Sequence, residues 1–510
     1  MNLNIIWPHF FVAVLSVVVG VLTTANSIRV TMVRGRWQPQ VAVFTLVAML
    51  ISATWTAIPC QAALPTLEPL ADVTLLSGSA LHIPLLGSDA DGHPLLFSAT
   101  SDDPLVSLSV PQGNRSMRIT SNGFGEMVFE LFESRASRVT EQIIELASSG
   151  DYNGVPFHRV INSFMIQTGD ITNGNGTGGS RLGNFDDQFH VDLQHNRSGV
   201  LSMAKSGDDT NDSQFFITEV PTRHLDFNHS IFGQLVEGEA VREAISNVPT
   251  GAGDKPITDV FMDSVEIFTD IENAVLMLSA PEGTSGSAEV TVTVSDGVES
   301  FDQVFNVTVT PDLINGGPFL RDLDSSIFVI EQGISSTLQL EAVDVEDDSV
   351  VFAQNSTQVP VGTTATTDAE TGLVTITPAA DYSGIFNLLV GVRAENGSNT
   401  GDTWDTQIIP VLVLPETLLA DFDLDTDVDG GDFLIWQQGF ATGNTHFQGD
   451  ATGDGTVDEA DLAVWLSNFG TVAPLSTIVS IPEPSTLGMA LLGGFLLLRR
   501  KRSQPRMVRA

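Results

Sequence analysis

The stretch PFHRVINSFMIQTGD, residues 156–170, places one cationic side chain among apolar ones. Arg159 stands close in sequence to Phe164, Met165 and Gln167. Apolar side chains can line a ligand pocket, and a guanidinium is a hydrogen-bond donor that stays charged. The sole cysteine, Cys60, lies in the amino-terminal leader, so the rest of the chain has neither a thiol nucleophile nor a cysteine-ligated zinc site. The sequence therefore points to a site that joins an apolar surface to one cationic donor.

Five segments in this part of the chain resemble the cyclophilins, a family of peptidyl-prolyl cis-trans isomerases. In order they are FHRVINSFMIQTGD, GNGTGGS, FDDQFH, LSMAKSGDDTNDSQFFIT and HLDFNHSIFG. They keep the family's order and approximate spacing between residues 157 and 233. The resemblance implies a closed eight-stranded antiparallel β-barrel with helices at its ends. It also implies catalysis of rotation about X-Pro peptide bonds, with proline-containing polypeptides as partners and no cofactor.

Rotation about an X-Pro bond must cross a barrier of about 18–20 kcal/mol that arises from amide resonance. Because no covalent bond breaks, the site needs no nucleophile, metal or acid/base pair. It must hold proline in an apolar pocket and favour the twisted amide over both planar forms. A guanidinium near the prolyl nitrogen can donate to the lone pair that twisting releases.

The resemblance assigns roles to individual residues. Arg159 corresponds to the catalytic arginine, and Gln167 to the residue that hydrogen-bonds the substrate backbone and orients the arginine. The residues expected to bind substrate are Phe164, Met165, Ala204, Phe216, His224, Leu225 and His229. Asn211 and Gln214 are expected to shape the groove wall, and His158 to support Arg159. Outside this pattern, an arginine would more often make a surface salt bridge and each apolar residue would more often be core.

His224 departs from the family pattern. Members that are sensitive to cyclosporin carry a tryptophan before the residue that corresponds to Leu225. An imidazole offers less apolar area and a different N–H geometry. We therefore expect the change to affect cyclosporin binding more than isomerase activity.

An acidic repeat lies near the carboxyl end. Residues 421–432 read DFDLDTDVDGGD, residues 450–461 read DATGDGTVDEAD, and their apolar landmarks recur 29 residues apart. Calcium loops of the EF type take ligands from positions 1, 3, 5, 7, 9 and 12. Those positions hold Asp421, Asp423, Asp425, Asp427, Asp429 and Asp432 in the first loop, and Asp450, Thr452, Asp454, Thr456, Asp458 and Asp461 in the second.

The repeat, with aspartate at position 12 and one helix after each loop, resembles dockerin modules. The resemblance implies bound calcium and either a cohesin-like partner or a calcium-stabilised fold. Thr426 replaces the usual loop glycine, and Thr452 replaces a carboxylate. An acidic solvated turn is the alternative interpretation.

The remaining elements predict a mainly β, multidomain protein. The segments 66–118 and 269–315 each show strand patterns but contain too few strands for a sandwich. Together they resemble one immunoglobulin- or cadherin-like module. An isomerase domain at 119–268 would interrupt this module, and a second module would span 317–414. The β-sandwich modules would act as spacers or adhesive units. A small helical dockerin-like calcium domain would follow at 418–472.

The 510 residues include 63 acidic and 22 basic ones, for a net charge of −41, which argues against nucleic acid as a partner. Residues 1–63 predict a leader with a secretory signal, although two short membrane helices are the alternative. Residues 480–503 join Pro482-Glu483-Pro484, an apolar tract and a basic cluster, and resemble the bacterial PEP-CTERM sorting signal. A transmembrane helix that serves as a plain membrane anchor is the alternative there.

Together these patterns predict an exported prolyl isomerase at the bacterial cell surface that assists protein folding. The alternative is a surface adhesive or scaffold protein whose cyclophilin domain binds proline segments without turnover.

Overall fold

A computed structural model describes residues 63–323, 327–395 and 404–472. The predicted leader, apart from its last residue, and the predicted sorting segment at 480–503 lie outside these residues. Strands predominate over helices in the described part of the chain. None of its helices has the length and apolar character that crossing a membrane requires.

Two four-stranded sheets draw their strands from both sides of residues 116–268. The strands that come before are β1 (Thr66–Leu67), β2 (Val73–Ser77), β3 (Leu81–Ser88), β4 (Leu96–Ser101) and β5 (Ser107–Ser109). The strands that come after are β16 (Asn273–Ser279), β17 (Gly286–Ser295) and β18 (Ser300–Pro311). The sheet orders are β1-β3-β16-β5 and β2-β18-β17-β4. We refer to this unit as the host sandwich.

The host sandwich has one core that both chain segments build. Strand β17 reads GSAEVTVTVS, and its alternation buries Val290, Val292 and Val294 on one face. These valines belong to the same cluster as Leu85 before the interruption and Leu276 after it. Neither segment could bury its apolar face without the other.

The interrupting domain contains one eight-stranded antiparallel sheet of order β15-β6-β7-β13-β11-β12-β10-β9. Its strands are β6 (Ser116–Ser121), β7 (Gly125–Leu131), β9 (Arg159–Ile161), β10 (Met165–Thr168), β11 (Val200–Met203), β12 (Phe215–Thr218), β13 (Ile231–Glu237) and β15 (Ser264–Phe268). The short strands β8 (Val155–Pro156) and β14 (Phe261–Met262) pair separately. The sheet begins at Ser116, slightly before the predicted boundary at 119.

Two helices accompany this sheet, α1 (Ser137–Ser148) and α2 (Glu239–Ser246). Helix α1 buries Val139, Ile143 and Leu146, whose helical spacing places them on one face. They join a core cluster with Phe215 and Phe232 of the sheet. This core fixes the strands that carry the candidate site.

The described residues of the second β-module form nine strands. They are β19 (Phe319–Leu320), β20 (Phe328–Glu331), β21 (Ser336–Gln339), β22 (Ala342–Val343), β23 (Val350–Asn355), β24 (Thr364–Thr367), β25 (Leu373–Thr377), β26 (Gly384–Ala394) and β27 (Asp405–Leu414). The sheet orders are β20-β27-β26-β23, β21-β25-β24 and β19-β22. The acidic repeat follows with helices α3 (Gly430–Gly439) and α4 (Glu459–Asn468). Single 3₁₀ turns span Arg223–Leu225, Ala252–Asp254, Ser356–Gln358, Glu416–Leu418 and His446–Gln448.

Carboxylates meet where the second β-module contacts the interrupting domain. The Thr406 hydroxyl lies 2.6 Å from an oxygen of Asp208 and 2.6 Å from an oxygen of Asp209. One hydroxyl carries one proton, so a proton on a carboxyl group would satisfy the second contact. Burial, and then the charge of Asp208, raises the pKa of Asp209 to about 7. Burial likewise raises the pKa of Asp208 to about 6.

This junction predicts a loss of stability as the pH rises. Because the folded-state pKa of Asp209 lies above its unfolded value, folding takes up a proton between about pH 4 and pH 7. We expect a lower unfolding midpoint at pH 8 than at pH 5, and Asp209→Asn should reduce that difference. Calorimetry of the full chain at both pH values tests this, with Asp103→Asn in an exposed loop as the control. If the unfolding midpoint of Asp209→Asn falls between pH 5 and pH 8 as much as that of the wild type, the prediction is wrong.

Candidate functional site

Strand register brings the predicted catalytic residues onto one face of the eight-stranded sheet. Arg159 of β9 pairs with Gln167 of β10, and Gln167 pairs with Phe216 of β12. Directly paired residues point to the same side of a sheet. Met165 shares that side because it lies two residues before Gln167 on the same strand. The face therefore presents a guanidinium, an amide and two apolar side chains in adjacent positions.

The apolar part of the site is a floor with aromatic walls. Met165 is 2 % exposed and Phe216 is 4 % exposed, so their side chains form the floor. The half-buried Phe164 stacks on exposed His224, with ring centroids 5.8 Å apart. Half-buried Leu225 lies in the 3₁₀ turn beside His224. The structure thus brings the predicted pocket residues together around an apolar surface.

His229 stands at the edge of this pocket as a neutral side chain. Its ring meets Phe216 edge to face at 5.7 Å, and its Nδ1 lies 2.8 Å from the Met203 carbonyl oxygen. That contact requires Nδ1 to carry the proton and donate. Burial lowers the pKa of His229 to about 4, so the ring adds no charge to the pocket at neutral pH.

The Arg159 guanidinium is only loosely paired. Its Nε lies 3.6 Å from an oxygen of Asp254, and the two side chains are 42 % and 49 % exposed. Exposed pairs of this kind contribute little free energy because water screens them. Arg159 therefore keeps both its charge and the freedom to turn toward a bound ligand.

A chain of hydrogen bonds fixes Gln167. Its Nε2 donates to Oε1 of Gln214 at 3.1 Å, and Nε2 of Gln214 donates to the Gly178 carbonyl at 2.7 Å. The backbone of Ala204, the predicted groove residue, also bonds to Gln214, whose carbonyl accepts the Ala204 N–H at 2.9 Å. Gln214 thus positions the Gln167 amide and also bonds to the backbone of Ala204.

One supporting residue lies elsewhere than predicted. Asn211 was expected to shape the groove wall, but it is fully buried and donates to Asp187 instead. Its place in the bridge with Phe185 turns its amide inward. His158, which was expected only to support Arg159, is buried, and its ring lies close to Gly176. Burial lowers the pKa of His158.

Asp170 organises the glycine-rich segment at 173–179 and was not identified from the sequence. One carboxylate oxygen accepts backbone N–H groups from Asn175, Gly176, Thr177 and Gly178. Burial would raise the pKa of Asp170, but the backbone donors outweigh it and lower the pKa to about 2. Because the Gly178 carbonyl accepts a hydrogen bond from Gln214, this loop helps to position Gln214 and, through it, Gln167. The signal was present as an aspartate followed by NGNGTGG, a run of small residues whose backbone can wrap an anion.

Replacing Asp170 with asparagine should loosen this loop. The variant keeps one acceptor oxygen, so we expect the free energy of unfolding at pH 7 to fall by about 1–3 kcal/mol. In the wild type this contribution is present above about pH 4 and disappears as the pH falls through about 2. Hydrogen exchange of the amides of 175–178 measures the effect, with Asp151→Asn at the surface pair with Arg181 as the control. Unchanged protection in the Asp170 variant would contradict the assignment.

A serine, a histidine and an aspartate lie in line behind the pocket. His195 Nε2 is 2.9 Å from the Ser202 hydroxyl, and its Nδ1 is 3.0 Å from Asp226. Ser202 and His195 have no exposed surface, so no substrate can reach them as nucleophile and base. The His195 ring instead stacks on Phe216 at 6.0 Å and 12°. These three residues therefore fix the position of Phe216 in the pocket floor. Their irregular spacing in the sequence did not predict this arrangement.

The acidic repeat forms a pseudo-symmetric pair. Trp436 Nε1 donates to the Asp458 carbonyl at 2.9 Å, and Trp465 Nε1 donates to the Asp429 carbonyl at 2.9 Å. Asp429 and Asp458 also cap helices α3 and α4 in matching capping boxes. The two repeats are thus joined by a pair of equivalent hydrogen bonds.

The first loop gathers carboxylates as a calcium site would. Asp421, Asp423 and Asp432 each place an oxygen within 4.8 Å of the others. Burial, and then the charge of Asp432, raises the pKa of Asp421 to about 7, which a bound cation would relieve. An all-oxygen set suits calcium, and the buried Asp427 Oδ1 lacks a hydrogen-bond partner. These residues fit the ion.

The second loop differs from the first. Asp450 and Asp461 bond to backbone N–H groups as Asp421 and Asp432 do. Within the described residues, however, no three acidic groups of this loop come equally close, because Thr452 stands in place of a carboxylate. Thr426 of the first loop takes the left-handed conformation that Gly455 takes in the second, with φ of 80° and 82°. A threonine there is strained.

Comparison with known proteins identifies relatives of the interrupting domain. Residues 116–267 match the family described as cyclophilin type peptidyl-prolyl cis-trans isomerase/CLD. Peptidyl-prolyl cis-trans isomerase-like 1 of Homo sapiens is 44 % identical over 138 residues, which cover 27 % of this chain and 82 % of the relative. A putative peptidyl-prolyl cis-trans isomerase of Staphylococcus haemolyticus is 40 % identical over 173 residues, covering 28 % and 86 %. A crystal structure of a Cryptosporidium parvum cyclophilin type isomerase aligns at 36 % identity and a TM-score of 0.30, covering 31 % of this chain and 99 % of that one.

Proposed function

This chain belongs to the cyclophilin-type peptidyl-prolyl cis-trans isomerase family, and we propose that it rotates X-Pro bonds of polypeptides outside the cytoplasm. The proposed catalytic residues are Arg159 and Gln167. The observation that carries the proposal is the alignment of Arg159, Gln167 and Phe216 across three neighbouring strands. That alignment sets a guanidinium beside an apolar floor.

The site supports rotation through differential binding. The proline ring would lie on Met165 and Phe216, with Phe164 and Leu225 at its sides. The Arg159 guanidinium would donate to the prolyl nitrogen, whose lone pair is available only when the amide is twisted. Such a donor stabilises the transition state more than either planar state, so it lowers the barrier. Gln167 would hold the substrate backbone because Gln214 fixes its amide.

The pocket predicts a preference for proline that ligand binding can measure. We expect an X-Pro peptide to shift the amide resonances of the pocket strands β10 and β12, and the matched X-Ala peptide to do so at least tenfold more weakly. Phe216→Ala should abolish the preference because it removes the floor. Val220→Ala, an exposed residue beyond the end of β12, is the control. Equal affinity for both peptides would contradict a proline pocket.

The setting of the domain supports a role at the cell surface. The predicted leader and PEP-CTERM-like segment favour export, and the chain carries 63 acidic against 22 basic residues, a balance suited to an extracellular surface. We propose that the enzyme assists protein folding at or beyond the cell envelope. A surface scaffold that binds proline segments without turnover is the competing role, and the two β-modules beside the isomerase domain favour it.

We also propose that the acidic repeat binds calcium. Support comes from the converging carboxylates of the first loop and from the paired capping boxes. The repeat would serve as a dockerin-like unit with a cohesin-like partner or as a calcium-stabilised domain. Catalysis itself needs no cofactor.

A further inference from the structure

The host sandwich holds a cluster of one histidine and two aspartates, far in sequence from the isomerase residues. Asp89 follows β3, His93 lies in the loop toward β4, and Asp296 lies in the turn between β17 and β18. One ligand atom of each lies within 4.8 Å of the other two. These three residues have no part in prolyl isomerisation. We call them the host cluster.

Both aspartates of the host cluster are buried, and each has one oxygen without a hydrogen-bond partner. Asp89 is 6 % exposed and Asp296 is 9 % exposed. Each Oδ1 accepts two backbone N–H groups of its own turn at 2.6–3.0 Å. Each Oδ2 is buried and lacks a hydrogen-bond partner. Buried carboxylate oxygens without partners are costly, so such groups call for a cation.

The geometry suits a metal ion better than a hydrogen bond. His93 Nδ1 lies 3.6 Å from Asp296 Oδ2, which is one of the unpaired oxygens, and 3.6 Å from Asp89 Oδ1, which shares its carboxylate with the unpaired Asp89 Oδ2. These distances exceed those of hydrogen bonds. Two ligands that each lie about 2.0–2.2 Å from one zinc ion in a tetrahedral site are about 3.4 Å apart. We propose that Asp89, His93 and Asp296 bind a divalent ion of the zinc class, with water in the fourth position.

The other acidic clusters do not share this chemistry. At the junction with the second β-module, Lys205 already contacts Asp187 and lies 3.7 Å from Asp208, so a protein cation is in place. The first loop of the acidic repeat offers oxygen alone, which suits calcium. The host cluster adds an imidazole, a ligand that suits zinc and other transition metals. The side chain of His93 is 45 % exposed, which leaves the ion a path to the site.

A metal here would fasten the interrupted module. Asp89 belongs to the chain segment before the isomerase domain, and Asp296 belongs to the segment after it. An ion bound to both would join two segments that 206 intervening residues separate in sequence. The site would therefore stabilise the host sandwich at the open ends of β3 and β17. This inference is independent of catalysis by the isomerase domain.

Calorimetric titration of the full chain with Zn²⁺ tests the site. Excess calcium in the buffer would occupy the acidic repeat. We expect the wild type to bind one more zinc ion than the His93→Gln variant, or to bind zinc at least tenfold more tightly than that variant. Asp296→Asn should bind zinc as weakly as His93→Gln does. His190→Gln is the matched control, since its side chain is similarly exposed at 37 %. It should bind zinc as the wild type does.

Hydrogen exchange adds a readout that does not depend on stoichiometry. The amides of His93, Val298 and Glu299 donate to the two aspartates, so zinc should slow their exchange in the wild type but not in His93→Gln. Equal zinc binding by the wild type and His93→Gln would overturn the proposal. So would protection of these amides by Ca²⁺ but not by Zn²⁺.

Discussion

Arg159→Ala should lower kcat/KM for prolyl isomerisation by about 10²–10³-fold, comparable to the loss of one transition-state donor in other enzymes. The guanidinium interacts with a lone pair that exists in the twisted amide and not in the planar substrate. Its removal should therefore reduce kcat much more than it weakens peptide binding. Arg159→Lys should be intermediate, because an ammonium keeps the charge but loses the planar donor geometry.

Asp254→Ala is the matched control for this prediction. Asp254 contacts Arg159 at 3.6 Å and both side chains are substantially exposed, so the pair contributes little. We expect isomerisation rates within about twofold of the wild type, as is usual for the loss of an exposed ion pair. Line-shape analysis of a proline peptide by NMR measures rates and affinity in one experiment. An Arg159→Ala variant that keeps the wild-type rate would remove the arginine from the mechanism.

Chelation of calcium should melt the acidic repeat while the β-domains remain folded. Without a cation, the first loop holds Asp421, Asp423 and Asp432 close together, and their repulsion opposes folding. Because ion binding is coupled to folding in such small domains, we expect the melting midpoint of this region to fall by at least about 10 °C. Fluorescence of Trp436 and Trp465 reports it, since their ring N–H groups bond across the pair.

Asp423→Ala separates ion binding from helix capping. Asp432 also forms part of the capping box of α3, so its loss would destabilise the helix even without calcium. Asp423 has no such role, and Asp423→Ala should weaken calcium binding while lowering the apo midpoint little. Glu416→Gln, just before the repeat, is the control. A melting curve that the chelator leaves unchanged would count against calcium.

The site was predictable where it is local. Arg159, Phe164, Met165 and Gln167 lie within nine residues of one another in a hairpin, so one short segment that resembles a known family identifies all four. The two acidic loops were equally visible because their carboxylates follow the fixed spacing of EF-type calcium ligands. The difference in geometry between the two loops was only partly predictable, from Thr452 in place of a carboxylate.

The rest depends on contacts that are distant in sequence. Ser202, His195 and Asp226 meet only after the sheet has folded, and Asn211 turns inward because of its bridge with Phe185. Thr406 meets Asp209 only because the second β-module contacts the isomerase domain. Such pairs leave no periodic trace in a single sequence. The composition showed an excess of acidic residues, but it could not show which carboxylates would be buried.

Catalysed rotation itself is the most direct test of the proposed function. The intact chain would be added at one-hundredth of the concentration of an X-Pro peptide, and cis-trans exchange would be followed by NMR exchange spectroscopy. We predict exchange far faster than the uncatalysed process, which takes tens to hundreds of seconds, in proportion to the enzyme concentration. Binding of the peptide without any acceleration of its exchange would contradict an isomerase and favour the scaffold role.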